Sequence, residues 1–341
     1  MPTVSIIVIA YKVDRFLRQC LGSLMTQSYP NLEIICVVGE DDELCARICD
    51  ELSFIDRRIR VIRETPRGTA QARNTGLDAA TGEYIAFVDG DDFADSNMIE
   101  AMLFAAMKAE ADISVIGRCF YYKNCMEGDP EAEEIRVLTV PEALEIILYQ
   151  TGFFLHIWDK LYRRTLFEGI RFDTGRKVED RFVCYRLIKK ANCIVYNSTP
   201  QYYFRMSEDS GSRVEDNLVK SFEADKQICR DMMETYPELL KAAEYFIAYE
   251  AISVVQNSML YGSFSKKHDE AVLRSVRSFS ASLRHNPKVR RSVKVKAFLC
   301  LHFPGILKKL TLKRRKRFLA SHQFFTTGAD WNRIYEEQGV E

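Results

Sequence analysis

The feature that most constrains this chain is a short apolar run that ends in a cluster of carboxylates. Residues 82–92 read Gly-Glu-Tyr-Ile-Ala-Phe-Val-Asp-Gly-Asp-Asp, so apolar side chains give way at once to Asp89, Asp91 and Asp92. Such a run predicts a buried strand with acidic groups at its carboxyl end, where open α/β sheets bind ligands. Carboxylates one residue apart can hold Mg²⁺ or Mn²⁺, which completes its shell with phosphate oxygens. Taken alone, these residues indicate no more than a solvated acidic turn. The neighbouring segments decide between such a turn and a metal site.

Strands and helices alternate through the first third of the chain. Apolar runs predict strands at residues 4–10, 32–38, 60–62 and 84–89, and segments with a 3.6-residue apolar period lie between them. This alternation predicts a Rossmann-like, mostly parallel, doubly wound sheet with right-handed crossovers. We therefore expect a binding crevice where Ala10, Tyr11, residues 38–41 and residues 89–92 converge at the carboxyl ends of the strands.

The composition is that of a soluble globular chain of about two domains. The 341 residues are 47% hydrophobic and 28% charged, and they include ten cysteines with no C-x-x-C pair. We interpret the cysteines as reduced core residues of a cytoplasmic protein, because disulfide frameworks belong mainly to small secreted chains. The amino terminus lacks the basic lead of a signal peptide and is better taken as the first strand.

From about residue 213 the pattern changes to helices, and positive charge collects there. Residues 271–329 contain 15 Lys and Arg and no Asp or Glu, although the whole chain has 48 of each class. Within the basic amphipathic segment 284–319, the apolar stretch 293–303 is shorter than the roughly 20 residues that span a bilayer. Apolar residues interleaved with cations favour a segment on an anionic membrane, such as the inner face of the cell membrane. A solvated basic helix is the alternative, and we expect no nucleic-acid partner because no nucleic-acid motif accompanies the charge.

Six elements occur in one order along residues 3–212. They are the first strand ending in Ala10-Tyr11, Arg67–Gly76, Thr81–Tyr84, Asp89–Asp92, Trp158–Arg163 and Glu179-Asp180. In this order they resemble the motifs of family 2 glycosyltransferases, and six ordered elements are more specific than any one of them. The resemblance implies a GT-A fold over residues 1–212, with a donor half at about 1–116 and an acceptor half at about 117–212. A helical region, 213–341, would follow.

The resemblance also implies an activity and a set of site residues. The enzyme would move a hexose or N-acetylhexosamine from a nucleotide sugar, with UDP as the expected nucleotide, to a glycan acceptor, with inversion and with Mn²⁺ or Mg²⁺ as cofactor. A lipid-linked acceptor would suit a membrane-surface position. Asp91 would ligate the metal together with Asp89, and Asp180 would be the general base, with Glu179 orienting it or placing the acceptor. The implied donor contacts are Ala10, Tyr11, Glu40, Asp41, Arg67, Arg73, Asp89, Gly90 and Arg205, and the implied acceptor contacts are Trp158 and Lys160.

These residue types suit the chemistry of glycosyl transfer. Departure of a nucleoside diphosphate builds negative charge on its oxygens, which a cation stabilises. The attacking hydroxyl must lose its proton, and a positioned carboxylate provides general-base help of roughly 10²–10⁴-fold. One base on the face opposite the leaving group gives a single displacement and an inverted product.

The chain departs from the family pattern near the nucleotide base. Residues 38–41 read Val-Gly-Glu-Asp where Asp-Asp-Gly-Ser or Asn-Asp-Gly-Ser is usual, and Lys12 stands where Asn often follows Tyr11. Uridine is therefore an expectation from the family alone. Simpler roles also stay open for three elements: Trp158 as a packing anchor, Glu179-Asp180 as the acidic first turn of a helix, and Arg73 as the partner of an acidic neighbour.

Two other functions share some of these features. A sugar nucleotidyltransferase would use a similar sheet and metal carboxylates, but it would need a Gly-rich loop directly after the first strand, where this chain has Ala10-Tyr11-Lys12. A non-catalytic binding relic of the fold would be expected to lose the metal and base carboxylates together, whereas Asp89, Asp91 and Asp180 are present. The glycosyltransferase hypothesis therefore ranks first.

Overall fold

A computed structural model describes residues 1–65, 67–128, 134–176, 178–207, 215–263 and 270–325, with the side chains of 215–218 excepted. These residues form a mixed α/β sheet and a set of helices that follows it.

Four parallel strands form one half of the sheet, in the order β3-β2-β1-β4. Ala10 lies opposite Val38, and Ile9 lies opposite Asp89, so the carboxyl ends of β1, β2 and β4 meet at one edge. The elements are β1 (Val4–Ala10), α1 (Asp14–Met25), β2 (Leu32–Gly39), α2 (Glu43–Ile55), β3 (Ile59–Glu64), α3 (Thr69–Ala79) and β4 (Tyr84–Asp89). The predicted alternation and the strand ending at Asp89 are thus confirmed.

Beyond β4 the sheet becomes mixed. Strand β9 runs antiparallel to both β4 and β6, whereas β10 runs parallel to β6. Apolar periodicity does not reveal strand direction, so the sequence could not predict this reversal. The elements are β5 (Phe93–Ala94), α4 (Met98–Lys108), β6 (Ile113–Tyr121), β7 (Met126–Gly128), β8 (Ile135–Leu138), α5 (Val140–Tyr149), β9 (Lys160–Arg163), α6 (Glu179–Lys190) and β10 (Ile194–Arg205).

The central strands are buried on both faces, which explains their unbroken apolar runs. Val4, Ile6, Ile7 and Val8 have no exposed surface, because side chains of a doubly covered sheet meet helices above and below. Helix α1 buries Phe16, Leu17, Cys20, Leu21 and Leu24, the face that its period predicted.

The helical region contains α7 (Glu215–Thr235), α8 (Leu240–Tyr261), α9 (Glu270–His285), α10 (Arg291–His302) and α11 (Pro304–Ser321). The chain forms two compact units: Met1–Ala143 with Leu155–Ser210 and Phe324–Glu341, and Leu144–Phe154 with Gly211–Gln323. The domain boundary predicted at residues 212–213 lies outside the described residues. Across the described residues, no helix is both long and apolar enough to cross a membrane.

Candidate active site

The three carboxylates that follow β4 have different environments. Asp89 keeps 28% of its side chain exposed and Asp91 is half-buried, whereas Asp92 is buried. Gly90 makes this turn possible, because a Cβ there would lie 2.6 Å from the carbonyl oxygen of Ile9. Close packing against β1 therefore explains why residue 90 is a glycine. Its contact with the donor stays a prediction.

Asp92 supports the turn from inside. The Tyr202 hydroxyl donates to Asp92 Oδ2 at 2.7 Å, and the backbone N–H of Arg205 donates to Asp92 Oδ1 at 2.8 Å. The same Tyr202 hydroxyl accepts from the backbone N–H of Asp89 at 3.3 Å. Burial, together with the charges of Asp91 and Asp89, raises the pKa of Asp92 well above its usual range. Asp92 is therefore a structural residue that fixes the ends of β4 and β10 to each other.

Asp91 and Asp89 are the carboxylates that remain available to a ligand. Burial and the nearby Asp89 raise the pKa of Asp91 to about 6. No group of three or more His, Cys, Asp or Glu side chains is placed to hold a metal within the described ranges. A cation would therefore need phosphate oxygens from a ligand to complete its shell, which is how Mg²⁺ and Mn²⁺ are commonly held beside nucleotides. Two partly exposed carboxylates fit such a shared site.

Arg73 joins this turn to the start of α6. Its Nη1 donates to Glu179 Oε1 at 2.8 Å, and its Nη2 lies 3.4 Å from Asp89 Oδ1. Glu179 Oε1 also accepts from the Thr69 hydroxyl at 3.0 Å. Burial alone would lower the pKa of Arg73, but Asp89 and Glu179 raise it, so the guanidinium stays charged. Arg73 is thus a partner of two acidic site residues, the simpler role left open above.

Asp180 follows Glu179 directly and is half-buried at the first turn of α6. Its charge raises the pKa of Asp89 and of Glu179, although burial is the largest cause for both. The residue before the helix, Val178, has φ 53° and ψ 37°, a left-handed conformation that a β-branched residue rarely adopts. Strain of this kind is typical of functional sites, where the surrounding structure holds it in place.

A cleft adjoins these residues at the carboxyl ends of β1 and β2. The cleft and the solvent at its mouth together occupy about 330 Å³, and the lining is mainly apolar. One wall is the start of α3, where Gly68 precedes the helix with φ 89° and no side chain caps the free N–H groups. Such an end favours anions. The lining residues are Ile9, Tyr11, Val37, Val38, Gly39, Glu64, Arg67, Gly68, Thr69 and Ala72.

Some of the predicted donor residues line this cleft, and others do not. Tyr11 and Arg67 line it, while Ala10 is buried and does not. Asp41 accepts from the Tyr11 hydroxyl at 3.0 Å, and Glu40 accepts from the Thr65 hydroxyl at 3.0 Å, so both carboxylates lie close to lining residues. Glu40 and Asp41, the acidic residues that follow β2, are therefore at the rim of the cleft.

The two predicted acceptor residues are both buried. Trp158 is 6% exposed and stacks on Tyr202 and Phe204 at ring distances of 4.5 and 5.3 Å. Lys160 has no exposed surface, and its ammonium donates to the Asp159 carboxylate and, at 2.8 Å, to the carbonyl of His156. This geometry favours packing and buried pairing for these side chains, and their acceptor contact stays a prediction.

Arg205 is also buried, and its hydrogen bonds run to protein atoms. Nε donates to the carbonyl of Asp91 at 2.7 Å, and Nη2 donates to Gln19 Oε1 at 2.7 Å. Burial lowers the pKa of Arg205, although Asp92 and Asp91 oppose this. Arg205 therefore holds the backbone of the acidic turn, and its implied donor contact stays a prediction.

Sequence reasoning overlooked several residues that support the site. Their signals were weak, because a threonine at a helix start, a tyrosine in a strand and a phenylalanine near the chain end have many ordinary roles. They are Thr69, Tyr202, Gln19 and Phe325.

In a comparison with known protein families, residues 5–176 match the model of Glycosyl transferase family 2. Glycosyltransferase GlyA of Streptococcus pneumoniae is 32% identical over 221 residues, which are 62% of this chain and 32% of GlyA. The chain thus aligns with about a third of that relative. The uncharacterized glycosyltransferase EpsJ of Bacillus subtilis is 34% identical over 239 residues, which are 66% of this chain and 69% of EpsJ.

Among solved structures, residues 1–349 of S. aureus TarS share the fold. The TM-score is 0.63 at 18% identity, with 92% of this chain and 91% of that chain covered. The same segment of TarS in complex with UDP-GlcNAc gives a TM-score of 0.59. At this identity the likeness concerns the fold alone, and it confirms the GT-A architecture expected from the sequence.

Proposed function

Because the chain belongs to glycosyl transferase family 2, we propose that it moves a hexose or N-acetylhexosamine from a UDP-sugar to a hydroxyl of a growing glycan, with inversion. The observation that carries this proposal is a chain of contacts that reaches the cleft at the ends of β1 and β2. Arg73 contacts both Asp89 and Glu179, and Glu179 accepts from Thr69, which lines the cleft. The nucleotide would occupy the cleft, and its diphosphate would lie between the start of α3 and the acidic turn.

Each residue has a distinct part in the proposed reaction. Asp91, with Asp89, would hold Mn²⁺ or Mg²⁺ on the diphosphate, and the bound cation would offset the negative charge that develops on the leaving group. Asp180 would accept the proton of the attacking hydroxyl. Glu179, tied to Arg73 and Thr69, would keep the start of α6 in place, so that the base meets the sugar from one fixed side. A single displacement from an α-linked donor gives a β-linked product.

The alternative functions are less well supported. A nucleotidyltransferase would bind its nucleotide through a Gly-rich loop after β1, but here Lys12 adopts φ 55° at that point and its N–H donates to Asp42 at 2.5 Å. The structure also brings Asp89, Glu179 and Arg73 into contact, which a relic without catalysis would have no reason to retain.

The first experiment is a binding screen with the full chain. Thermal unfolding is followed with UDP, GDP, UDP-GlcNAc and UDP-glucose, each with and without Mn²⁺, because a ligand of the native state raises the midpoint. We expect a Mn²⁺-dependent rise with uridine nucleotides. A well-folded protein that responds to none of these nucleotides would contradict the proposal and favour the relic.

A base substitution tests the chemical step. Asp180→Asn should lower the rate of sugar transfer by about 10²–10⁴-fold and leave the UDP-induced rise in midpoint unchanged. Asp78→Asn is the matched control, because Asp78 is an exposed carboxylate that pairs with Arg171 on the surface. Full transfer activity in Asp180→Asn would remove the base assignment. The anomeric proton of the product, read by NMR, reports inversion or retention.

We further propose that α11 rests on an anionic membrane, which would bring the site to a lipid-linked acceptor. The helix carries seven Lys and Arg and no acidic residue, and it exposes Ile306, Leu310, Leu312 and Leu319. Only Leu307 and Thr311 are buried, and Gln256 donates to the Thr311 hydroxyl at 2.8 Å. Apolar and basic side chains are interspersed around this helix, so it is basic but does not have the two separate faces that the sequence suggested.

Vesicle sedimentation tests this partner. The full chain should bind vesicles with 30% phosphatidylserine and not phosphatidylcholine alone, and the binding should weaken with salt. The double variant Lys308→Glu/Lys313→Glu should bind at least about thirtyfold more weakly, at about 1 kcal/mol per charge. Lys241→Glu, an exposed charge on α8, is the control. Equal binding by all three proteins, or none by the wild type, would leave α11 as a solvated helix.

A further inference from the structure

Arg205 is one of the residues that hold the acidic turn, and it is the one whose guanidinium donates to the turn's backbone. Arg205 meets it at two points, because Nε donates to the carbonyl of Asp91 and the backbone N–H donates to the carboxylate of Asp92. Gln19 on α1 accepts from Nη2 and so fixes the orientation of the guanidinium plane. The position of the Asp91 backbone therefore depends on how firmly Arg205 is held.

Four aromatic rings surround this guanidinium. Its Cζ lies 4.4 Å from the ring centre of Phe16, 4.7 Å from Phe325, 5.3 Å from Tyr121 and 5.5 Å from Phe93. A guanidinium over ring faces gains cation–π energy, and apolar rings also keep water from its hydrogen bonds, which strengthens them. Three of the rings belong to the first 121 residues, whereas Phe325 follows α11.

Phe325 is placed by contacts of its own. Its backbone N–H donates to the carbonyl of Met206 at 2.9 Å, and it forms a parallel bridge with Ser207, directly beyond β10. Its ring stacks on Tyr121 at 5.3 Å and meets the edge of Phe16 at 5.8 Å. The preceding Phe324 is buried against Tyr122, with 5.4 Å between ring centres. The segment is therefore anchored beside Arg205 by backbone and side-chain contacts together.

We propose that Phe325 is a positioning residue of the donor site. It completes the aromatic enclosure of Arg205, and Arg205 in turn holds the Asp91 backbone, which would keep the Asp91 carboxylate in place to hold a cation. This inference rests on the proposed function. It adds that Phe325 affects how well the acidic turn binds a cation, although a phenylalanine side chain offers no ligand atom.

The test measures cation affinity separately from nucleotide affinity. Mn²⁺ is titrated calorimetrically into wild type and Phe325→Leu in the presence of UDP, and UDP binding is also measured without metal. Leucine keeps apolar volume but removes the ring face, so the Mn²⁺ dissociation constant should rise about threefold to tenfold. Metal-free UDP binding, which depends on the cleft, should stay unchanged. Phe325→Trp should restore the wild-type value.

Two further variants separate positioning from a general structural effect. Phe324→Leu alters the same segment and should leave Mn²⁺ affinity unchanged, because the Phe324 ring packs against Tyr122. In an Arg205→Lys background, Phe325→Leu should cause no further loss, since both changes break one chain of contacts.

The possible results have distinct meanings. Equal Mn²⁺ affinity in wild type and Phe325→Leu, or an equal loss with and without Arg205→Lys, would overturn the positioning role while the proposed function stands. If the folded wild type binds no nucleotide with Mn²⁺, the proposed function itself fails.

Discussion

Asp91 is the residue whose ionisation should control donor binding. Its pKa of about 6 in the metal-free protein lies well above the ordinary value of 3.8, so the native state retains a proton that the unfolded chain has already lost. The contribution of Asp91 to stability is therefore lost as pH rises from about 4 to 6. A cation needs the ionised carboxylate, so cation binding follows the opposite trend.

We expect the apparent affinity for Mn²⁺ with UDP-GlcNAc to fall by up to about tenfold per pH unit below pH 6. UDP-GlcNAc is the appropriate ligand because its diphosphate diester does not titrate in this range. Calorimetry between pH 5 and 8 measures the effect, and Asp91→Asn should bind Mn²⁺ weakly at every pH. A wild-type affinity that is constant over this range would argue against Asp91 as a cation ligand.

The backbone conformation of Lys12 should have a measurable effect on the stability of the protein. Its φ of 55° explains why Asn is common at this position in the family, since Asn tolerates the left-handed region better than other non-glycine residues. Lys12→Asn should raise the free energy of unfolding by about 0.5–1 kcal/mol in urea denaturation. The backbone bond to Asp42 does not involve the side chain and should remain. Lys241→Asn, in a helix, should give no gain, and a loss of stability in Lys12→Asn would refute the strain argument.

At the scale of elements, the start of α6 combines a strained backbone with the proposed general base. The left-handed backbone of Val178 sets the direction of Glu179 and Asp180, which follow it. Val178→Gly should raise the free energy of unfolding by about 1 kcal/mol, because glycine adopts φ > 0 freely. The turn before Asp180 would also become less constrained.

We expect sugar transfer in Val178→Gly to slow several-fold at saturating donor, with the Mn²⁺–UDP affinity unchanged. Denaturant unfolding and steady-state kinetics measure the two effects separately. Val178→Ala, which keeps a Cβ, should fall between the two proteins. A variant that is both more stable and fully active would show that the strained turn has no part in catalysis.

At the scale of the whole molecule, the cysteines report on the core. All ten are thiols that form no disulfide, and eight are buried, while Cys125 and Cys193 are only half-buried. Burial raises the pKa of Cys20, Cys229 and others well above its usual range, so these thiols are inert in the native state. The interpretation of the cysteines as reduced core residues is in accord with this burial.

An aromatic disulfide reagent should therefore label about two thiols in the native protein, and the other eight only after denaturation. Absorbance of the released thiolate gives both counts. Rapid labelling of more than four thiols in the native state would contradict the buried arrangement of α1, α2 and β2, which carry four of these cysteines.

Much of the fold was predictable because it depends on local patterns. The end of β4 at Asp89 and the buried face of α1 follow from apolar periodicity, and the bond from the Thr139 N–H to Glu142 at 2.8 Å follows from a capping signature. The direction of β9 was not predictable, because strand pairing over long sequence separations leaves no local trace. The same holds for Lys160, whose burial depends on the distant elements that cover it.

The sequence by itself determined the α/β alternation, the position of the acidic turn and the candidate metal ligands Asp89 and Asp91, since side-chain type and spacing specify them. The candidate base Asp180 came from the resemblance to the family. Only the tertiary structure decided how these residues are supported. The bond from the Arg205 N–H to Asp92 joins residues 113 positions apart, and Phe325 meets Arg205 across 120 positions of chain. The physical reason is that burial and hydrogen bonding depend on the residues that surround a side chain in space, and most of those come from distant parts of the chain.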